Sequence, residues 1–322
     1  MPTVTLILPQ ALQPLALWER DFGFKPHAPR FKSLFNPKLK QTLSVQGIEN
    51  TVLLLAGLTA ESISLAAWRY AAQEGQLPTQ AVLCADLVQL ESGLDCVRLL
   101  PDLPAVSEAE NEQVAQLLNS FLAQDGLHWQ GIGNYGYLLL NQPPSMNTTP
   151  LSSVVGQNIF SYLPQGEKKE RLYWHRLLNE IQMLLHTPQL GNSGFKHFNG
   201  MWLWGNGERI ERLTTSIKQI IGKGLNTQTL AYGLNAHYQE LPKSLSELDL
   251  SLGDTVIILD DLVLPSLKDD PANWQNTLSH LEQNWLDPLI KLAQQKKINL
   301  QVSTANGELY SVANKPFWKF WS

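Results

Sequence analysis

The sequence predicts an α/β protein, and two observations carry that prediction. Short apolar runs bounded by turn residues alternate with longer stretches of helical periodicity. The apolar fraction is 43% of 322 residues, enough to build a buried core. Composition also narrows the function classes. A net charge of −5 with no basic block argues against nucleic acid or an anionic membrane as partner. No apolar run reaches the roughly 18 residues of a membrane span. The start, Met1 to Leu8, lacks the basic residues and cleavage site of a signal peptide, so a cytoplasmic protein is expected. Cys84 and Cys96 have no metal-type spacing and read as reduced thiols.

The elements follow in order. Val4 to Leu8 is a short apolar run that stops at Pro9, as a buried strand does. Glu61 to Gln73 has helical spacing, with Ile63, Ala66, Ala67 and Tyr70 on one face. Ala81 to Leu90 and Cys96 to Leu100 read as strands. Ser107 with Glu110 three residues on forms a capping box, and Val114, Leu117, Leu118, Phe121 and Leu122 continue it as an apolar stripe. Trp129 and Tyr135 to Leu140 read as returning strands. After the loop at 141–150, Leu172, Trp174, Leu177, Leu178, Ile181 and Leu185 mark an amphipathic helix ending near Thr187. Phe198 to Trp204 reads as a buried strand, Thr214 to Ile221 as a strand, Thr227 to Leu234 as a helix and Asp254 to Asp260 as a strand. The longest helix starts after Pro271, with Pro288 as a point of bending. Ile298 to Val302 and Glu308 to Val312 are the last strands.

Three groups of residues are candidates for chemistry. Gly205-Asn206-Gly207 follows a strand, where backbone N–H groups can approach an anion; a tight turn requiring glycine is the alternative. A dinucleotide fingerprint is excluded, because the chain continues Glu208-Arg209-Ile210 without the third glycine. Asp254, Asp260, Asp261, Asp269 and Asp270 gather around the C-terminal end of a predicted strand, where open α/β sheets bind ligands. They read either as ligands of a hard cation or as a polar loop with helix caps, Asp270 standing before Pro271. Thr59, Ser62 and Ser64 follow Gly57 at a strand-to-helix turn, as a nucleophile or a cap would. The seven histidines are scattered; His186 and His197 flank the approach to the Trp202 strand, and His280 lies mid-helix among polar neighbours.

Asn199-Gly200-Met201-Trp202-Leu203-Trp204-Gly205-Asn206-Gly207 resembles a motif of the archaeal-type, 2,3-bisphosphoglycerate-independent phosphoglycerate mutases, as do Cys84-Ala85-Asp86-Leu87-Val88-Gln89-Leu90 and the helix start Ser107-Glu108-Ala109-Glu110. The segment Leu178 to His186 and the closing Lys315-Pro316-Phe317-Trp318-Lys319-Phe320-Trp321 resemble a bacterial family of regulatory proteins of the RpfE type. The mutase resemblance implies an alkaline phosphatase-like three-layer core, residues 1–78 and 188–322, with a smaller inserted α+β domain at 79–187. It also implies two divalent ions and a serine nucleophile, and here the chain departs from the pattern. Leu8-Pro9-Gln10 stands where a metal aspartate is implied. Thr59 stands near the nucleophile position. Val263 and Leu267 replace an Asp-x-x-x-His pair. Val302-Ser303-Thr304-Ala305-Asn306 replaces an Asp-His pair.

Apolar side chains cannot offset the repulsion and dehydration of two dications. The expectation is therefore a non-catalytic, mutase-like protein without a metal cofactor, acting by binding a ligand or partner, with regulation as a role. His186, Lys196, Asn199, Gly205, Gly207 and Arg209 are the expected contacts of a small anionic or phosphorylated ligand. One alternative is a metal-dependent phosphomutase or phosphatase, using Mn, Zn or Mg on the five aspartates with Thr59 or Ser62 as nucleophile. The other is a protein-interaction module anchored by the aromatic tail, Phe317 to Trp321.

Overall fold

The computed structural model describes residues 1–101, 104–186, 195 and 197–312. The chain divides into two compact units, Met1–Leu58 with Arg212–Ser322, and Thr59–Glu211. The first unit opens with β1 (Thr3–Ile7), α1 (Leu15–Phe22), α2 (Pro29–Leu34), β2 (Lys40–Thr42) and α3 (Ile48–Leu55). The second holds α4 (Leu65–Glu74), β3 (Ala81–Val88), β4 (Leu90–Ser92), β5 (Val97–Leu99), α5 (Glu108–Leu122), β6 (His128–Ile132), β7 (Tyr135–Leu140), β8 (Met146–Asn147), α6 (Leu151–Val154), β9 (Gln165–Gly166), α7 (Lys168–His186) and β10 (Gly200–Trp204). The first unit resumes with β11 (Ile217–Gly222), α8 (Gly224–Gly233), β12 (His237–Glu240), β13 (Asp254–Ile258), α9 (Val263–Leu267), α10 (Pro271–Leu281), α11 (Asp287–Gln294), β14 (Asn299–Ser303) and β15 (Glu308–Ser311).

In the first unit the strands form one sheet in the order β12-β11-β13-β1-β14-β15-β2. The five from β12 to β14 are parallel, and β15 and β2 add antiparallel edges. Val4 to Ile7 and Thr255 to Ile258 are buried at every position, so both faces of the central strands are covered. That is why these strands read as continuous apolar runs rather than alternating ones. One face meets a core of Leu6, Ile257 and Val302 with Trp18, Phe31, Trp274, Leu278 and Leu289. Trp18 and Trp274 meet edge-to-face at 5.9 Å, and the Trp18 indole N–H donates to Asp269.

The long helix expected after Pro271 is interrupted. A π-helical turn, Glu282–Leu286, separates α10 from α11. Pro288 explains the widening, since it offers no N–H to the carbonyl of Asn284 four residues back. Helices α1, α2 and α3 and strand β12 are too short to show periodicity, and the sequence pattern does not predict them.

The second unit contains an antiparallel sheet, β10-β3-β7-β6. Leu118, Leu122, Trp174, Leu177 and Ile181 of α5 and α7 cover one face, against Leu83, Ala85, Leu138 and Leu203. The capping box is present: Ser107 Oγ accepts from Glu110 N at 3.3 Å, and Glu110 Oε2 accepts from Ser107 N at 2.9 Å. The unit boundaries differ from those expected at 78/79 and 187/188. Residues 59–78 belong with β3 because Arg69 of α4 pairs with Asp86, and 197–211 belong there because β10 completes the β3 ladder. Among the described residues no helix is long and apolar enough to cross a membrane.

Candidate functional site

The Gly-x-Gly segment is built into the second unit as a packing turn. Gly205 adopts φ 80°, and a Cβ there would lie 2.9 Å from Ala66 N. Its carbonyl accepts from Ala66 N at 2.9 Å and its N–H donates to Thr148 Oγ1 at 3.1 Å. A Cβ on Gly207 would lie 2.2 Å from the Ile63 carbonyl carbon, so only glycine permits that approach. Arg209 bridges the same turn: its N–H donates to Ser62 O and its carbonyl accepts from Ser64 N, both at 2.9 Å. Its guanidinium pairs with Glu211 at 3.0 Å. Ser64 caps α4 through Ala67 N at 3.2 Å. The first turn of α4 is thus satisfied internally, at Ala66 and Ala67, where an anion would otherwise be received.

Asn199 also has a structural task. Its Oδ1 accepts from Leu90 N at 2.7 Å and its Nδ2 donates to Leu90 O at 2.8 Å. His186 is exposed at the last position of α7. Lys196 and the aromatic tail at 317–321 lie outside the described residues. Thr59 precedes a short 3-10 turn that ends at Ser62, with Ser62 Oγ donating to Thr59 O at 2.8 Å. The expected ligand residues therefore share a neighbourhood only in part, and their polar groups there serve the turn.

The two tryptophans of the motif are equally structural. Trp202 Nε1 donates to Thr149 O at 2.9 Å, and Trp204 Nε1 to Asp86 Oδ2 at 2.8 Å. Asp86 also accepts from the two terminal guanidinium nitrogens of Arg69, Nη1 and Nη2, at 2.8 and 2.9 Å, and from Gly136 N at 3.1 Å. Burial, the largest single influence, pushes the Arg69 guanidinium down, but the charge and hydrogen bonds of Asp86 together with Cys84 and Tyr137 outweigh it and the net direction is upward. Sequence reasoning missed Arg69, whose only signal is a charge among the alanines and aromatics of an otherwise buried helix.

The five aspartates do not converge. Asp254 sits at the opening end of β13, where its Oδ1 accepts from Thr3 N at 2.8 Å. Asp260 and Asp261 follow the other end. Asp269 receives the Trp18 indole, and Asp270 caps α10 through Asn273 N at 3.0 Å. The dications implied by the resemblance do not fit the residues after the strands. After β1, Leu8 is fully buried and Gln10 takes φ 59°. At the end of β14, Ser303 Oγ donates to Glu308 O at 2.7 Å and accepts from Ala305 N at 3.1 Å. Val263 and Leu267 lie in α9. Among the described residues no three His, Cys, Asp or Glu side chains gather as a metal site would require.

What the first unit does present is a crevice. The chain leaves β11 through α8 toward β12, and leaves β13 through α9 to α11 toward β14, on the opposite side. Neighbouring parallel strands whose connections diverge make a switch point, where the loops part. Lys223 follows β11, Asp260 and Asp261 follow β13, and Lys223 pairs with Asp261 across the gap. A cavity of about 520 Å³ opens there. Leu241, Pro242 and Lys243 after β12 line it, with Asn276, Thr277, His280 and Leu281 of α10. Burial, then the Asp261 charge, push the Asp260 carboxyl above its ordinary range, against Lys223. The sequence signal for this crevice is Gly222-Lys223-Gly224 between strand and helix, which is not among the three candidate groups; His280 is singled out by the sequence, but only as a mid-helix residue beside the aspartates.

No family model matches the chain. A probable 2,3-bisphosphoglycerate-independent phosphoglycerate mutase of Geobacter sulfurreducens is 31% identical over 110 residues, 32% of this chain and 27% of that protein. The match spans about a quarter of that relative's length. In fold the chain is similar to a cofactor-independent phosphoglycerate mutase from Thermoplasma acidophilum, with TM-score 0.42, 11% identity, and coverage of 98% of this chain and 91% of that one. It is likewise similar to the PH0037 protein of Pyrococcus horikoshii, with TM-score 0.48, 10% identity, and coverage of 98% and 89%. The matched stretch is related in sequence to the phosphoglycerate mutases.

Proposed function

We propose that this protein is a non-catalytic relative of the phosphoglycerate mutases, of the RpfE regulatory type, that works by binding a ligand. One observation carries the reading. The loop after β1 supplies leucine, proline and a glutamine in a left-handed backbone, and the end of β14 supplies a serine whose hydroxyl is already bonded on both sides. Two dications held a few ångströms apart need several carboxylate or imidazole ligands. The dispersal of the five aspartates supports the same reading over a rearranged phosphomutase site. The test is direct. Protein prepared with Mn²⁺ and desalted is measured for bound metal and for conversion of 3-phosphoglycerate in an enolase-coupled assay. The reading expects neither stoichiometric metal nor turnover; turnover that scales with protein and vanishes with chelator overturns it.

A further inference from the structure

We propose that the switch-point crevice of the first unit binds a small organic anion: an anionic head between Lys223 and Lys243 beside His280, and an apolar body on Leu241, Pro242 and Leu281. The inference rests on the binding reading above and supplies its site and ligand class. Three features carry it. The cavity, about 520 Å³, matches the size of a small-molecule site. Its position is the one that open parallel sheets leave free by topology. Its lining sets two lysines against one carboxylate, Asp261, around an apolar floor.

The chemistry of the head follows from the donors. Lys223 and Lys243 offer only N–H groups, and Asn276 and Thr277 add amide and hydroxyl donors from α10. Lys223 is held at the crevice by Asp261, so an arriving anion shares an ammonium that is already positioned. Asp260 and Asp261 oppose an anion. Burial disfavours the charged form of Asp260 and so weakens its share of that opposition. A bare inorganic ion would leave Leu241, Pro242 and Leu281 uncovered, which is why the site calls for a ligand with an apolar part.

The experiment uses the full chain and three probes: phenyl phosphate, inorganic phosphate and phenol. Binding is followed by calorimetry and by the ring resonances of His280 in histidine-labelled protein. Phenyl phosphate is expected to shift His280 and to bind about tenfold tighter than phosphate; phenol is expected not to bind. Lys243→Glu, on an exposed loop, is expected to weaken phenyl phosphate at least tenfold with an unchanged melting temperature. Lys223→Gln should weaken it similarly, and Lys243→Glu decides the matter if Lys223→Gln does not fold. Unmoved His280 signals at about 10 mM probe, or affinity indifferent to Lys243→Glu, overturns the site. Equal affinity for phosphate and phenyl phosphate overturns the apolar half of the ligand. Failure here with turnover still absent removes the crevice and leaves the loss of catalysis standing; turnover with intact crevice binding does the reverse.

Discussion

Asymmetry between the two halves of the Arg69–Asp86 pair is the sharpest consequence of the second unit. Arg69 is 1% exposed at its side chain and Asp86 5%, so neither charge reaches bulk water. Breaking such a pair from one side costs about 3–5 kcal/mol. Asp86→Ala does more, because Trp204 Nε1 and Gly136 N lose their acceptor as well. Each stranded donor adds about 1–3 kcal/mol, giving roughly 5–11 kcal/mol in all. That is comparable to the whole stability of an ordinary domain, about 5–15 kcal/mol. Arg69→Met leaves a carboxylate that keeps two donors and can take up a proton, at a cost of about 3 kcal/mol near neutrality. This cost must shrink as pH falls, because protonation removes the orphaned charge. A guanidinium orphaned by Asp86→Ala has no such release, so its cost must not shrink. Urea-dependent hydrogen exchange, read on peptides from β3 and β10, reports this unit alone. A cost for Arg69→Met below about 1 kcal/mol, or one as large at pH 5 as at pH 7, refutes the reasoning.

Three further outcomes follow from single contacts. Gly207→Ala drives a Cβ into the Ile63–Ser64 backbone, so exchange protection of α4 should collapse while β1 and β13 stay protected; an unchanged α4 counts against the close approach. Ser107→Ala should cost about 1 kcal/mol by thermal melting. Its hydrogen bonds to Ser107 hold Glu110 below the ordinary 4.5, so that stabilisation is present above 4.5 and lost as pH falls through the lowered value. The gap between wild type and Ser107→Ala should therefore narrow in acid, and a gap that widens would be inconsistent with the capping box. Asp260 shifts the other way, so its burial penalty is fully present above its raised value and gone below 3.8. Asp260→Asn should melt higher than wild type at pH 7 and lose that advantage toward pH 4; a lower melting point at pH 7 contradicts the assignment.

The sequence disclosed what repeats along the chain and concealed what is made by folding. Buried strands such as β1 and β13 were legible because both their faces are covered, and the α5 capping box because its partners are three residues apart. Short amphipathic pieces such as α1 and α3 carry too few turns to show a period. The site was misread for a related reason. Asp254 and Asp260 lie six residues apart, but a strand between them puts them at its two ends, not in one cluster. Gly205 and Gly207 looked like an anion cradle, and their donors and space are taken by Ala66, Thr148 and Ile63, residues 57 to 144 positions away. Lys223, Lys243 and His280 meet only through sheet order, which no local pattern encodes.

The side-chain clamp of Asn199 on Leu90 has a consequence for how the returning chain finds its place. Alternation in β10 sends Trp204 to the Arg69 side and Leu203 to the opposite, aliphatic one, so a slip of one residue would exchange them and leave an indole N–H stranded. Asn199 grips both polar atoms of one backbone residue, and that grip exists at a single alignment. It acts as an indexing mark for the last strand to join its sheet. Aspartate there would retain the acceptor, lose the donor and set two oxygens against each other, so the strand would be free to settle one notch away.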